Sequence, residues 1–231
     1  MPPVDDEILP VYFASGEPTN HAHPRSVVHR LGLWHPTLAI WIVQRMPGGS
    51  HTLLFQERHR SQVAWPGKLD TTTAGHVVAS DREPLREIEE ELGVRPQWND
   101  LIFLGVRRFD DTDSYHIIDR ELQETYLWIS DLPIEAYKLQ QDEVTAIVAI
   151  ELTEAARLLR GDGETASAVR YETDKGPEKT QVRIEMVVPD PGDRYSKLLT
   201  AATGLVNGAT DVVPIDGWLP RPLSRPKVEE A

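Results

Sequence analysis

AGHVVASDREPLREIEEELGV, residues 74–94, is the stretch on which the reading of this chain turns. Five glutamates and one aspartate fall between positions 81 and 94, and Gly93 closes the run. Asp81 is a natural N-cap, which places Pro84 at the third helical position, where its missing N–H leaves no intrahelical bond unmade. Gly93 supplies the stop. Leu85, Ile88 and Leu92 recur at i, i+3 and i+7, giving one apolar stripe to dock on a sheet. Glu87, Glu90 and Glu91 recur at i, i+3 and i+4 on another face. Glu87 and Glu91 are like charges one turn apart, a pair that costs roughly a few tenths of a kcal/mol in an isolated helix. Arg86 offsets Glu90 at i+4, but no cation inside the helix is spaced to neutralise Glu87 and Glu91 together. Two readings stay open: a solvated acidic face, the ordinary fate of a charge run, or a hard divalent cation, Mg²⁺ or Mn²⁺, held by carboxylate oxygens.

The surrounding composition narrows the setting. The chain has 231 residues, 40% of them hydrophobic, which suits one main core and a small appendage. It has no cysteine, so disulfides, thiolate metal sites and a cysteine nucleophile are excluded, and a reducing, cytoplasmic setting is expected. The N-terminal MPPVDDEILPVYF lacks the basic start and apolar run of a signal peptide, and no long uninterrupted apolar stretch occurs. With 24 Lys and Arg against 37 Asp and Glu, the net charge of −13 argues against broad binding to nucleic-acid backbones or anionic membranes. A small phosphorylated ligand remains compatible, held by a few local arginines or by a recruited cation.

Outward from the acidic helix, apolar runs at residues 37–43, 51–58, 101–109, 124–130 and 144–152 read as strands. Helices are expected at 153–161 and 194–208, and QVRIEMVV (181–188) is a plausible strand of open role. Residues 1–25 read as an extended arm, 26–155 as the main domain, 156–218 as a helical extension packed on it, and 219–231 as a disordered tail. His21 and His23, in HAHP, read as incidental rather than metal-binding. The coarse fold is a mixed α/β layer structure.

REIEEELGV (86–94) resembles the second half of the Nudix hydrolase box, in which Arg-Glu-apolar-x-Glu-Glu-x-Gly-apolar follows a glycine, five residues, a glutamate and seven residues. The first half departs from that pattern: Asp81 stands where the glutamate belongs, and four residues instead of seven separate it from Arg86. The resemblance implies an α/β/α sandwich with a mixed sheet. It also implies Mg²⁺ or Mn²⁺ on Glu87, Glu90 and Glu91, with the Gly75 carbonyl nearby and Arg86 as the orienting ion-pair partner. RLGLWHPTLAIWIV, LLFQERHRSQVAWPGKLDTTTAGHV, DRELQETYLWI and KLQQDEVTAIVAI fall in the order used by the branch that resembles isopentenyl-diphosphate isomerase, over roughly residues 26–152. That branch holds a metal with three histidines and glutamates, and His35 and His76 match two of them. His29, one residue closer to His35 than the pattern has, is a candidate third. Glu124 matches the isomerase acid, and in a hydrolase it would bind metal or take a proton from water. Glu143 is a second candidate base, or else an exposed loop carboxylate. Arg58 and Lys68 resemble diphosphate contacts, and Trp34, Trp65 and Tyr115 are candidates for stacking on a base.

The position of the isomerase cysteine is Ala74, and alanine moves no proton. The expected activity is therefore metal-dependent hydrolysis of a diphosphate joined to another moiety X, with a nucleoside as the family's commonest X. The alternatives are a catalytically reduced ligand-binding module and, more weakly, an isomerase-like enzyme. A homodimer or adaptor role through the C-terminal segment is also left open.

Overall fold

Alternating apolar residues and frequent turn signals build a sheet-rich chain whose helices are few and short. The computed structural model describes residues 7–62, 64–79, 85–111, 118–190, 192–210, 214, 215, 217–220 and 223. In chain order the elements are β1 (Ile8–Tyr12), β2 (Pro18–Pro24), α1 (Arg25–Leu31), β3 (His35–Arg45), β4 (His51–Arg58), β5 (Leu69–Asp70), β6 (Thr73–His76) and α2 (Arg86–Leu92). There follow β7 (Leu101–Asp111), β8 (Asp119–Ser130), β9 (Val144–Glu151), α3 (Leu152–Leu159), β10 (Thr165–Glu172), β11 (Gly176–Arg183) and α4 (Arg194–Val206).

The main sheet runs β11-β10-β9-β4-β3-β8-β7, with β5 on β4 and β6 on β3. Among the described strands of this sheet, β3 and β8 run parallel and the other pairs are antiparallel, so the sheet is mixed. β3 and β4 pair at one end, from Ile42 opposite Leu54 to Arg45 opposite His51, and then part. β5 and β6 fill the fork that opens between them. Strict alternation along β3 sends Leu38, Ile40 and Ile42 to one face and Trp41 and Val43 to the other. The first face packs on Leu85, Ile88 and Leu92 of the acidic helix. The second packs on Leu152, Ala155 and Leu158 of α3 and on Tyr195, Leu198, Leu199 and Ala202 of α4. The result is an α/β/α sandwich with a mixed sheet.

Several segments differ from the sequence reading. Residues 8–24 are extended but paired, β1 with β2, and α1 follows them directly. The stretch 156–218 is not wholly helical, because β10 and β11 form a hairpin that widens the main sheet through β9. QVRIEMVV divides: Gln181 to Arg183 end β11, Ile184–Met186 form a 3-10 turn, and the Val188 N–H donates to the Leu69 carbonyl at 2.8 Å. β10 escaped notice because its alternation, TASAVRYE, is built on small residues with little apolar contrast. The tail begins ordered, with Leu219 and Val106 exchanging two backbone hydrogen bonds. Asp81 and Pro84, the expected helix start, lie outside the described residues, and regular α2 begins at Arg86.

Candidate active site

The α2 face is built from a short helix laid against β6. Gly93, at φ +66°, ends the helix, and its N–H donates to the Glu89 carbonyl at 2.9 Å. Gly75 of β6 lies under Glu87 so closely that a Cβ there would come within 2.7 Å of Glu87 Cγ. Thr73, two residues earlier on the same face, donates its hydroxyl to Glu91 at 2.6 Å. Arg86 reaches both Glu90 oxygens at 2.5 and 2.6 Å and Glu87 at 2.9 Å. One arginine therefore engages two of the three carboxylates, a pairing that i, i+4 spacing showed only for Glu90. Glu91 is the acid left without a cation on its own helix, and burial pushes its pKa up to about 8. The Thr73 hydroxyl opposes that shift, Glu87 and Glu143 add to it, and Arg58 opposes it.

Glu143 and Arg58 are thus brought to Glu91 from distant points in the chain. Gln62 links the two, donating to Glu143 and accepting from Arg58 at 2.6 Å. Arg58 also donates to the Ala64 carbonyl at 2.9 Å and stands 3.5 Å from Asp70.

On the opposite face of β3 and β6 a second group gathers. His29, His35 and His76 each offer a nitrogen within 4.8 Å of the others, and His35, Asp119 and Glu121 form an overlapping set. His35 is fully buried, and its Nδ1 donates to the Leu33 carbonyl at 3.0 Å, leaving Nε2 with its lone pair and no hydrogen bond among the described residues. Asp119 stands 3.8 Å from that nitrogen. Burial lowers the pKa of both His35 and His76, which favours neutral rings with available lone pairs. Glu121 accepts from Thr37 at 3.1 Å and from Gln123 at 3.2 Å.

No family model matches the chain. It is 38% identical over 140 residues to an uncharacterized Nudix hydrolase of Clostridium acetobutylicum, covering 58% of this chain and 66% of that one. It is 34% identical over 161 residues to Nudix hydrolase 3 of Arabidopsis thaliana, covering 67% of this chain and 20% of that one. The chain belongs to the Nudix hydrolase family. It spans about two thirds of the Clostridium relative and one fifth of the Arabidopsis relative. Among solved structures, a MutT/Nudix family protein of Enterococcus faecalis aligns with a TM-score of 0.43 at 11% identity, covering 74% of this chain and 62% of that one. A Deinococcus radiodurans protein aligns with a TM-score of 0.47 at 18% identity, covering 67% of this chain and 90% of that one.

The expected residues of this Nudix protein divide by face. Gly75, Glu87, Glu90 and Glu91 stand on the α2 side, whereas His35 and His76 stand on the other, so they do not converge on one point. Among the described residues, the three carboxylates are not grouped as the histidines are. Glu124 is fully buried, and its side chain accepts from the Tyr126 hydroxyl at 3.1 Å. Register places it beside Leu38, which in turn neighbours Gly75, so Glu124 lies about two strand spacings, roughly 10 Å, from Gly75 on the α2 face. Ala74 faces the histidine side, so Glu124 cannot serve as the acid opposite position 74. On that side β8 presents Glu121 and Gln123. The Lys68 ammonium engages the Glu185 carbonyl instead of turning to the carboxylate helix. Trp34 bridges to Tyr12, Trp65 sits in a turn at φ +51°, and Tyr115 lies outside the described residues.

Asp119 and Glu121 were missed by the sequence reading. Extending the strand at 124–130 back to Asp119 would have shown Asp119, Glu121 and Gln123 alternating onto one face.

Proposed function

We propose that the chain is a Mg²⁺- or Mn²⁺-dependent hydrolase that cleaves the diphosphate linkage of a nucleoside diphosphate joined to another moiety, or of a related organic diphosphate. The observation that carries this reading is the contact between Gly75 and Glu87: the space a Cβ would fill is taken by the Glu87 side chain, which brings a carboxylate beside the β6 backbone. Glu87, Glu90, Glu91 and the Gly75 carbonyl are oxygen donors, the chemistry that Mg²⁺ and Mn²⁺ accept. When bound, the cation polarises the phosphorus centre and lowers the pKa of an attacking water. Arg86 holds Glu87 and Glu90 together and orients them. Glu143, tethered by Gln62 and near Glu91, is the candidate base. Arg58, in the same chain of contacts, is the candidate diphosphate contact. His29, His35 and His76, with Asp119 and Glu121, form a nitrogen-rich donor set on the other face, better suited to Mn²⁺ than to Mg²⁺.

The test is a broad panel of organic diphosphates with Mg²⁺ and Mn²⁺ supplied separately and products identified by phosphorus NMR. Metal-dependent release of a phosphate or nucleoside monophosphate supports the reading, and inertness across the panel opposes it. One observation favours a ligand-binding module instead: Arg86 already occupies two of the three helix carboxylates. Binding of a panel member that stays intact in the presence of metal would support that module.

A further inference from the structure

Two arginines away from the acidic helix, one buried and one partly buried, have few acceptors among the described residues. Arg194 opens α4 and is 8% exposed. Its Nη2 donates to the Tyr195 hydroxyl at 2.7 Å, its Nη1 stands 3.6 Å from Asp70, and its Nε has no partner among the described residues. Arg107 of β7, with a side chain 14% exposed, donates to Asp190 at 3.3 Å. Each guanidinium carries about five N–H donors, and buried donors ordinarily find acceptors. Asp190 brings the two together, since its Oδ1 accepts from Arg107 and its Oδ2 accepts from the N–H of Tyr195, the residue next to Arg194.

The nearby carboxylates are already shared. Asp70 also pairs with Arg58 at 3.5 Å and accepts from the Thr71 N–H at 2.8 Å. Asp190 also accepts from the N–H groups of Gly192 and Tyr195, each at 3.4 Å. Three guanidiniums, those of Arg58, Arg107 and Arg194, thus divide two aspartates between them. The cluster is continuous with both halves of the site: Asp70 joins it to Arg58, and Gln123, paired with Arg107 across β7 and β8, donates to Glu121, which groups with His35 and Asp119. A phosphate group offers three acceptor oxygens, a match for guanidinium forks that have donors to spare.

We propose that Arg107 and Arg194 form an anion-binding site that receives a further phosphate group of the substrate next to Arg58, the candidate diphosphate contact, to which Asp70 joins it. Preferred ligands are then organic diphosphates that carry a further phosphate on moiety X. This assignment of substrate class rests on the hydrolase reading, whereas the anion site stands without it.

Inorganic phosphate is the probe. Protein labelled with ¹⁵N-arginine is titrated with phosphate against sodium chloride at matched ionic strength, and the Nε–H signals of Arg107 and Arg194 are assigned with Arg107→Lys and Arg194→Lys. Both signals are expected to shift saturably, and Arg107→Gln to weaken phosphate binding by about tenfold or more. Arg194 also anchors α4, so Arg107→Gln is the primary variant, with its melting temperature as the check on folding. For substrate class, the dissociation constants of two matched diphosphate esters, with and without an extra phosphate, are measured on Glu91→Gln so that turnover plays no part. The phosphorylated ester is expected to bind at least about tenfold tighter, and Arg107→Gln in that background to erase the difference. Absent shifts, or shifts unchanged by Arg107→Gln, overturn the anion site. Equal affinity for the two esters overturns the substrate class. Failure of the wild type to hydrolyse any ester bears on the hydrolase reading alone.

Discussion

Gly75 and Glu91 carry the sharpest expectations at the scale of single residues. Gly75→Ala would set a Cβ 2.7 Å from Glu87 Cγ and 3.1 Å from Cδ, so the Glu87 side chain has to leave its place. We expect turnover to fall by about tenfold or more, equivalent to roughly 1.4 kcal/mol in the barrier, with the circular dichroism spectrum retained. Wild-type rates in Gly75→Ala would remove the contact from the mechanism. Glu91 yields a pH prediction. Its folded pKa is about 8, whereas an unfolded glutamate titrates at about 4.3. Between those values the folded state binds more protons, so stability falls as pH rises through that window. The urea midpoint of metal-free protein should therefore decline from about pH 5 to about pH 8, and Glu91→Gln should flatten the decline. Asp119, raised to about 7 first by burial and then by Glu121, adds slope of the same sign. An identical slope in wild type and Glu91→Gln would show that Glu91 titrates normally.

As an element, α2 is a short helix held by its buried stripe and by Gly93, with Glu87 and Glu90 kept together by Arg86. Glu90→Gln or Glu91→Gln is expected to cut turnover by at least about tenfold without unfolding the protein, because Leu85, Ile88 and Leu92 still carry the packing. Full activity in both variants would defeat the metal assignment. Saturating Mg²⁺ or Mn²⁺, binding the folded state alone, should raise the melting temperature. That rise should shrink in Glu91→Gln, and calorimetric scans with and without chelator measure it. The stripe and the stop of α2 were legible in the sequence because both depend on local spacing and one φ angle. The fork of Arg86 onto Glu87 was not, since neighbouring side chains on a helix meet only when their rotamers bring them together. β3 and β4 were legible from continuous apolar runs, whereas β10 required the sheet edge offered by β9.

For the molecule as a whole, the second core joins the box-bearing sheet to residues far beyond it. Trp41 meets Phe55 and Tyr195 edge-on, and Val182, Leu198, Leu199 and Ala202 complete the same cluster. A fragment of residues 26–155 would expose that face, so we expect it to be insoluble or to lack a cooperative thermal transition. A cooperative melt of the fragment would show that the C-terminal elements are dispensable for folding. The arrangement of faces also bears on chemistry. Ala74 and Gln123, neither of them titratable, stand on the histidine side while Glu124 points to the other, so none of these three positions supplies a proton there. The protein is expected not to convert isopentenyl diphosphate to dimethylallyl diphosphate, and proton NMR showing conversion at enzymatic rates would refute that. The sequence by itself determined the acidic helix, its docking stripe, the principal strands, the sandwich class and the candidacy of His35 and His76, all of which follow from short-range periodicity or from motif. Only the tertiary structure decided that the histidines and the helix carboxylates occupy opposite faces, that Asp119 and Glu121 gather with His35, and that Arg107 and Arg194 pair with Asp190 and Asp70. The side to which a strand residue points depends on register across the fork between β3 and β4, and register is set by partners distant in the chain.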